Sequence, residues 1–348
     1  MSVKSMAAVL FLLYSFLEPV FVMAQPKCSI GHYSTLNGLS DNRVMYLMKD
    51  SEGFMWMGTW TGINRFDGHN FVTYKSHPGD QSELKNNRID LIVEGGGGCL
   101  WLKAYDQQVY RFDKKTEQFL SVSTFLQPGK RSKTEISNII ALKNGQVVLT
   151  TRGQGLFLVS EAASDKPSAV WFSESAGAAS RLPSDSVNCF YEDSASDAWI
   201  GSTQGLTRLH TGTGGSYKKA LVADRLQNAN ITCIAESAAS LWFGTADGKL
   251  LALNKRTGKL VALTVSTGRV NDLHVSNNRR DLYLSTSHGE VITVSIDSLQ
   301  VSATGIFAGN ELRSIYEDRA GRLWLEPKEN GVVLFDPKTK AFRLFTQP

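Results

Sequence analysis

Six histidines, at positions 32, 69, 77, 210, 274 and 288, are the first residues to test for chemistry. No two of them stand in an HxxxH or HExxH relation, the spacing that sets two imidazoles on one helix face around a metal, so no metal site is expected. The sequence holds no GxSxG elbow and no Walker A loop. Gly95–Gly98 is a run of four glycines, but no Lys-Ser or Lys-Thr follows it, and it reads as a turn between two apolar runs rather than a phosphate cradle. Ser51-Glu52 and Glu317-Asp318 lie beside turn signals, where short polar side chains cap backbone N–H groups, and are not read as paired catalytic carboxylates. The four cysteines, at 28, 99, 189 and 233, form no CxxC pair, which argues against zinc and redox motifs. Cys189 and Cys233 fall at matching places in neighbouring repeats and read as buried thiols, with a disulfide as the alternative. The expectation is therefore no catalytic residue, no metal and no cofactor.

What remains is recognition chemistry. Arg43, Trp60, Asn87, Arg88, Tyr105, Asp106, Arg152, Gln204, Asp247, His288 and Glu329 all fall in or beside turn segments. Such a mixture suits sugars, since ring C–H faces stack on indole or phenol while hydroxyls take planar polar partners. Trp60 is the sharpest candidate, because an indole in a turn has no evident core role. An alternative chemistry pairs His288, as a base, with Arg152 or Arg88 as a charge-neutralising partner, the constellation of a lyase; nothing in the sequence requires those residues to converge.

These candidates need elements to hold them, and composition narrows the choice. In 348 residues, 42% are hydrophobic and 20% charged, the balance of a foldable chain. Aromatics at 10% with 30 glycines favour strands and tight turns. The formal charge of +4 is not gathered into a Lys/Arg run, which excludes a nucleic-acid partner as the expectation. Residues 1–24 read as a cleaved secretory signal: Lys4, a 12-residue apolar core from Met6 to Leu17, and small residues before Gln25. Glu18 and Pro19 cut that core short of the roughly 20 apolar residues of a membrane span. The mature product is expected to be exported to the periplasm.

The decisive pattern is a repeat. Val44–Asp50, Phe54–Thr59, Ile63–Asp67 and Phe71–Tyr74 are four short strand-like runs joined by Gly, Asp and Asn turns. The second run centres on a large anchor, Trp56, which returns as Trp101, Val148, Trp199, Trp242, Tyr283 and Trp324. An apolar residue opens the first run 11–13 positions earlier each time: Val44, Ile89, Ile136, Val187, Ile231, Val270 and Leu312. Repeats of 41–51 residues with four strands each are blades of a β-propeller. The fold class is thus all-β, a seven-bladed β-propeller of four-stranded antiparallel blades, with blades at about 38–76, 84–122, 134–173, 182–221, 226–265, 268–304 and 310–346, all within a domain of residues 25–348. The anchors read as packing between blades. A further strand at 30–35 is available to close the last blade, although Phe342–Phe345 already supplies that blade's fourth strand. In this geometry the second-to-third turns and the inter-blade loops share one face, where the candidate binding residues lie.

Leu39-Ser40-Asp41-Asn42-Arg43-Val44, then Lys49-Asp50-Ser51-Glu52-Gly53-Phe54-Met55-Trp56-Met57-Gly58-Thr59 and Gly62-Ile63-Asn64-Arg65-Phe66-Asp67, resemble the two-component regulator propeller repeat. Blades four and seven carry it well, as in Glu317–Trp324; blades two, three, five and six carry it more loosely. The resemblance implies the periplasmic sensor portion of a Bacteroides-type hybrid two-component system that responds to polysaccharide breakdown products. Such systems join two propellers to a small β-sandwich, a membrane helix, a histidine kinase and output domains. Here the blades occupy all the residues after the leader, so no kinase activity is expected of this chain. The implied partners are an oligosaccharide ligand, a second propeller or membrane-bound kinase portion, and a second copy in a homodimer. An exported lyase and a pure protein-docking module are the alternative readings.

Overall fold

Short amphipathic runs with a turn residue every five to eight positions leave the backbone one economical solution, a tight antiparallel meander, and the computed structural model shows that solution seven times over. It describes residues 31–77, 84–122, 126, 134–160, 167–212, 217–220, 226–307, 310–329 and 331–346. Among these residues there are seven four-stranded antiparallel sheets, each made of consecutive strands: a seven-bladed β-propeller. Blade one comprises Val44–Lys49, Met55–Thr59, Gly62–Phe66 and Phe71–Tyr74. The first strands of the others are Ile89–Glu94, Ile136–Ala141, Val187–Glu192, Ile231–Glu236, Val270–Val275 and Leu312–Glu317. First strands of successive blades lie side by side from blade one to blade three and from blade four to blade seven. No described helix is long and apolar enough to cross a membrane.

The first-to-second turn is built on an aspartate six residues before the anchor. Asp50 Oδ1 accepts from the N–H groups of Glu52 (3.0 Å) and Phe54 (2.9 Å), and Oδ2 accepts from the Trp56 indole at 2.8 Å. Asp193 does the same for Ala195, Asp197 and Trp199, and Asp318 for Ala320, Arg322 and Trp324. One carboxylate thus closes the hairpin and satisfies the only polar atom of a buried indole. Trp56 is buried between blades one and two against Ile89, Ile92, Leu100 and Phe112, with the Phe112 ring edge-on at 5.8 Å.

The blades approach one another closely. A Cβ on Gly244 would lie 2.8 Å from Val270 Cγ1 of the next blade, and one on Gly201 would lie 2.7 Å from Ile231 Cγ2. Glycine there lets the opening residue of each following blade sit directly on the sheet. Cys189 faces Gly201 and Cys233 faces Gly244 across their hairpins, which is the matching placement expected from the repeats. Cys99, Cys189 and Cys233 are thiols, with no disulfide among them; Cys28 lies outside the described residues.

Two expectations fall on the N-terminal segment. The secretory signal at 1–24 lies outside the described residues. The strand offered at 30–35 as a second way to close the last blade begins outside the described residues; residues 31–34 carry no strand, Thr35–Asn37 is a single 3-10 turn, and blade seven has Phe342–Phe345 as its fourth strand. The physical reason is local. Ser34 and Asn37 cap each other's backbone ends, and Tyr33 packs edge-on against Phe66 at 4.9 Å and Phe71 at 5.8 Å. These contacts fasten the segment to the outside of blade one.

Candidate functional site

The second-to-third turn of each blade is tied to the residue that precedes that blade's own first strand. Tyr105 N donates to Arg88 O (3.0 Å), Arg152 N to Glu135 O, Thr203 N to Ser186 O, Ala246 N to Asn230 O, Ser287 N to Arg269 O, and Lys328 N to Glu311 O. Blade one replaces this bond with Thr61 Oγ1 donating to Ser40 O at 2.7 Å. This stitching places the turns and the linkers on one face, and with them every candidate residue read from the sequence.

Four of those candidates meet. The Arg43 guanidinium lies 3.7 Å from the Trp60 ring centre, and Arg88 lies 4.8 Å from the same ring and 4.0 Å from the Tyr105 ring centre. The result is a stack of alternating cations and aromatics across blades one and two. Trp60 keeps 40% and Tyr105 57% of its surface open to solvent. Each arginine is oriented by an aspartate: Arg43 by Asp41 at 3.1 Å and Arg88 by Asp90 at 2.9 Å. The hydrogen bond to Arg43 holds the half-buried Asp41 carboxyl below its usual range. Stacking uses the flat face of a guanidinium and leaves most of its N–H edge available to a ligand. Next along the face, Lys103 donates to Ser137 O at 2.9 Å, and burial together with the nearby charge of Arg152 pushes its pKa down.

A second cluster lies on blade five, between its leading linker and its second-to-third turn. Gln227, Asn228, Asn230, Thr245, Asp247 and Lys249 line most of a cleft of about 520 Å3. Asp247 accepts from Lys249 Nζ at 2.5 Å and from Thr245 Oγ1 at 2.6 Å, contacts that hold its carboxyl below the ordinary value. Of this cleft the sequence reading found Asp247 alone. The signal was the amide-rich linker Gln227-Asn228-Ala229-Asn230, which reads as an ordinary loop until the neighbouring turn is seen beside it.

The other candidates stand apart. Asn87 is committed to the linker, its side chain bonding both the N–H (2.8 Å) and the C=O (2.9 Å) of Ser76. Asp106 caps Gln108 N within its own turn. Gln204 is exposed, and its carbonyl accepts from Asn228 N at 3.2 Å. Arg152 and Glu329 are exposed on blades three and seven. His288 Nδ1 lies 3.3 Å from Thr267 Oγ1. Arg88 is engaged by Asp90, Trp60 and Tyr105. Among the described residues no cluster of His, Cys, Asp and Glu has the form of a metal site.

Residues 38–61 and 181–204 match the two-component regulator propeller family. The chain carries the two-component regulator propeller repeat. Both matching segments run from a linker through the first two strands of a blade, and both contain the aspartate and tryptophan that close the hairpin, Asp50 with Trp56 and Asp193 with Trp199. A histidine kinase of Formosa agariphila, "Histidine kinase P4", is 32% identical over 73 residues, a match that spans 21% of this chain and 5% of that protein. Among solved structures, the extracellular domain assigned to a hybrid two component system of B. thetaiotaomicron is similar at a TM-score of 0.51 and 18% identity, covering 87% of this chain and 41% of that one. The dihydro-heme d1 dehydrogenase NirN is similar at a TM-score of 0.57 but 10% identity, over 88% of this chain and 66% of that one. An enzyme and an extracellular domain of a two component system thus share the architecture, so the fold does not select a function. The matched repeat is that of the regulator propellers, and a role has to be argued from the loop face.

Proposed function

We propose that this chain is the ligand-sensing propeller of a two-component regulatory system, working outside the cytoplasm and recognising an oligosaccharide on its loop face. The observation that carries this reading is the Arg43–Trp60–Arg88–Tyr105 stack. It presents two solvent-open aromatic surfaces, for sugar C–H faces, between guanidinium edges that donate to hydroxyl or carboxylate oxygens. The polar cleft around Asp247 and Lys249 offers a second set of hydroxyl partners on the same face. The chain acts by binding and not by catalysis. Its signal passes to a membrane-bound kinase portion by shifting the balance between two arrangements of the assembly, which requires different ligand affinities in the two. The repeat match and the extracellular sensor-domain neighbour support this placement.

Isothermal titration of the purified chain with neutral, uronate-containing and sulfated oligosaccharides tests the proposal. Saturable binding of one glycan is expected, weakened at least tenfold, about 1.4 kcal/mol, in Trp60→Ala and Arg88→Ala. The reading fails if no glycan in the panel binds. It also fails if Trp60→Ala binds as wild type while Asp247→Ala does not, which would move the site to the cleft.

A further inference from the structure

One cation on the loop face has no counterpart in the other blades. The next-to-last residue of the second strand is Gly58, Thr150, Gly201, Gly244 or Ser285 in blades one, three, four, five and six. A side chain at this place meets the blade that follows, as the close approach of Gly201 to Ile231 and of Gly244 to Val270 shows. Blade seven has Glu326 there, whose carboxylate accepts from Ser314 Oγ at 2.8 Å. Blade two has Lys103. Its half-buried side chain reaches across to blade three, where the ammonium donates to the backbone carbonyl of Ser137 at 2.9 Å. A lone carbonyl only partly compensates a charge drawn out of water.

The charges around Lys103 do not supply a better partner. Arg152, exposed on the turn of blade three, is near enough for its charge to lower the proton affinity of Lys103, second only to burial; Asp90 acts in the opposite sense and less strongly. Asp90 is already bound to Arg88 Nε at 2.9 Å. Asp106 caps Gln108 N, and Glu135 is exposed on the linker, where its own carbonyl accepts from Arg152 N. Among the described residues, neither Lys103 nor Arg152 forms an ion pair. The other cations of the two candidate clusters are balanced: Arg43 has Asp41, Arg88 has Asp90, and Lys249 of the blade-five cleft has Asp247. Lys103 and Arg152 thus stand as two unanswered cations that repel each other, beside the turn that holds the open ring of Tyr105.

We propose that the oligosaccharide taken by this face is acidic, with a uronate carboxylate or a sulfate ester held between Lys103 and Arg152 while an adjoining sugar ring stacks on Tyr105 or Trp60. The inference rests on the oligosaccharide reading and narrows it to one class of ligand. An anionic oxygen there accepts charge-assisted hydrogen bonds from an ammonium and a guanidinium at once, and it relieves their mutual repulsion. A neutral sugar leaves that repulsion in place and offers only hydroxyl partners. The stacked arginines do not select for acid in the same way, because Asp41 and Asp90 already neutralise them. The aromatic surfaces therefore supply affinity for the sugar ring, and Lys103 with Arg152 supplies the preference for its charge.

Matched titrations of the full chain test it. The probes are tetrasaccharides of polygalacturonate, alginate and chondroitin sulfate, each beside its carboxyl methyl ester, with the desulfated form of the last, and neutral tetrasaccharides of xylan and mannan. One acidic probe is expected to bind at least about tenfold more tightly than its neutralised form, the factor that one charge-assisted hydrogen bond supplies. Loss on esterification identifies the anion as the carboxylate, and loss on desulfation as the sulfate. Lys103→Met, which keeps the aliphatic stem, and Arg152→Gln should each shrink the ratio of acid to neutral affinity, and the double variant should bring it close to one. Trp60→Ala should weaken both forms and preserve the ratio. Should Lys103→Met fail to fold, Arg152→Gln carries the test, since its side chain is exposed. The inference is overturned, with the oligosaccharide reading intact, if a neutral probe binds as tightly as any acid, or if either variant with wild-type circular dichroism keeps the full ratio. Silence of every probe removes both.

Discussion

Replacing Asp50 with alanine is expected to destabilise the protein by about 3–4 kcal/mol, and more than the same change at Asp193. Asp50 holds two turn N–H groups, the Trp56 indole at 2.8 Å and Lys114 Nζ at 3.1 Å. Hydrogen bonds to a charged group contribute about 1.5–3 kcal/mol each, and an indole N–H left buried without a partner costs about 1–3 kcal/mol. These contributions overlap, because one displaced turn loses them together. Lys114 adds a further cost: its side chain is 7% exposed, and its remaining partners are Glu94 at 3.0 Å and the largely solvated Glu52 at 2.8 Å. Removing one partner of a buried ion pair typically costs about 3–5 kcal/mol, tempered here by the two carboxylates that remain. Asp193 has the same turn and the Trp199 indole at 2.8 Å but no lysine on its carboxylate, so about 2 kcal/mol is expected. Urea denaturation of the full chain, followed by tryptophan fluorescence at pH 7, measures both variants and their combination. The two sites share no partner and should add to within about 0.5 kcal/mol. A loss below about 1 kcal/mol in Asp50→Ala, or a larger loss in Asp193→Ala, would refute the assignment of the anchor's stability to this carboxylate.

Two further outcomes follow from the titrating groups. The carboxyls of Asp50, Glu94, Glu236 and Asp197 are held below their usual values, in each case because hydrogen bonds and ion pairs outweigh the opposing effect of burial. A lowered carboxyl contributes stability that is complete above its unfolded pKa of about 4 and disappears as pH falls through the folded value. The urea midpoint should therefore drop from about pH 5 downward, more shallowly in Asp50→Ala, and a flat profile to pH 3 would contradict this. Asp272, raised by burial, runs the other way but is one group against four. For the thiols, burial pushes Cys189 up, and Cys233 up to about 12. Neither should react with a disulfide reagent at pH 8 until the protein unfolds, and stoichiometric labelling of the native protein would show the blade interfaces to be open.

Much of the architecture was legible because it repeats. Period-2 alternation, turn residues and an anchor 11–13 positions after an opening apolar residue give the same supersecondary unit seven times, and a unit that cannot bury both faces alone must stack. The loop face followed from strand direction, and so did the membership of Trp60, Arg88 and Tyr105 in it. The aspartate six residues before an anchor was visible as well, but its purpose was not, since a turn aspartate and a partner for a buried indole look alike in sequence.

The sequence by itself thus determined the blades, their order, the packing role of the tryptophans and the face on which the second-to-third turns and linkers lie, because each depends on contacts between residues close along the chain. Tertiary structure decided what depends on juxtaposition across blades, linkers and turns. It stacked Arg43, Trp60, Arg88 and Tyr105, withdrew Asn87 into a linker brace, and set an amide-rich linker against the turn of Asp247 to make a cleft. It also turned the segment at 31–37 onto blade one. The physical reason is the same in each case: whether two side chains meet depends on the angle at which separate sheets pack, and that angle is set by whole interfaces, including the close approach at Gly201 and Gly244.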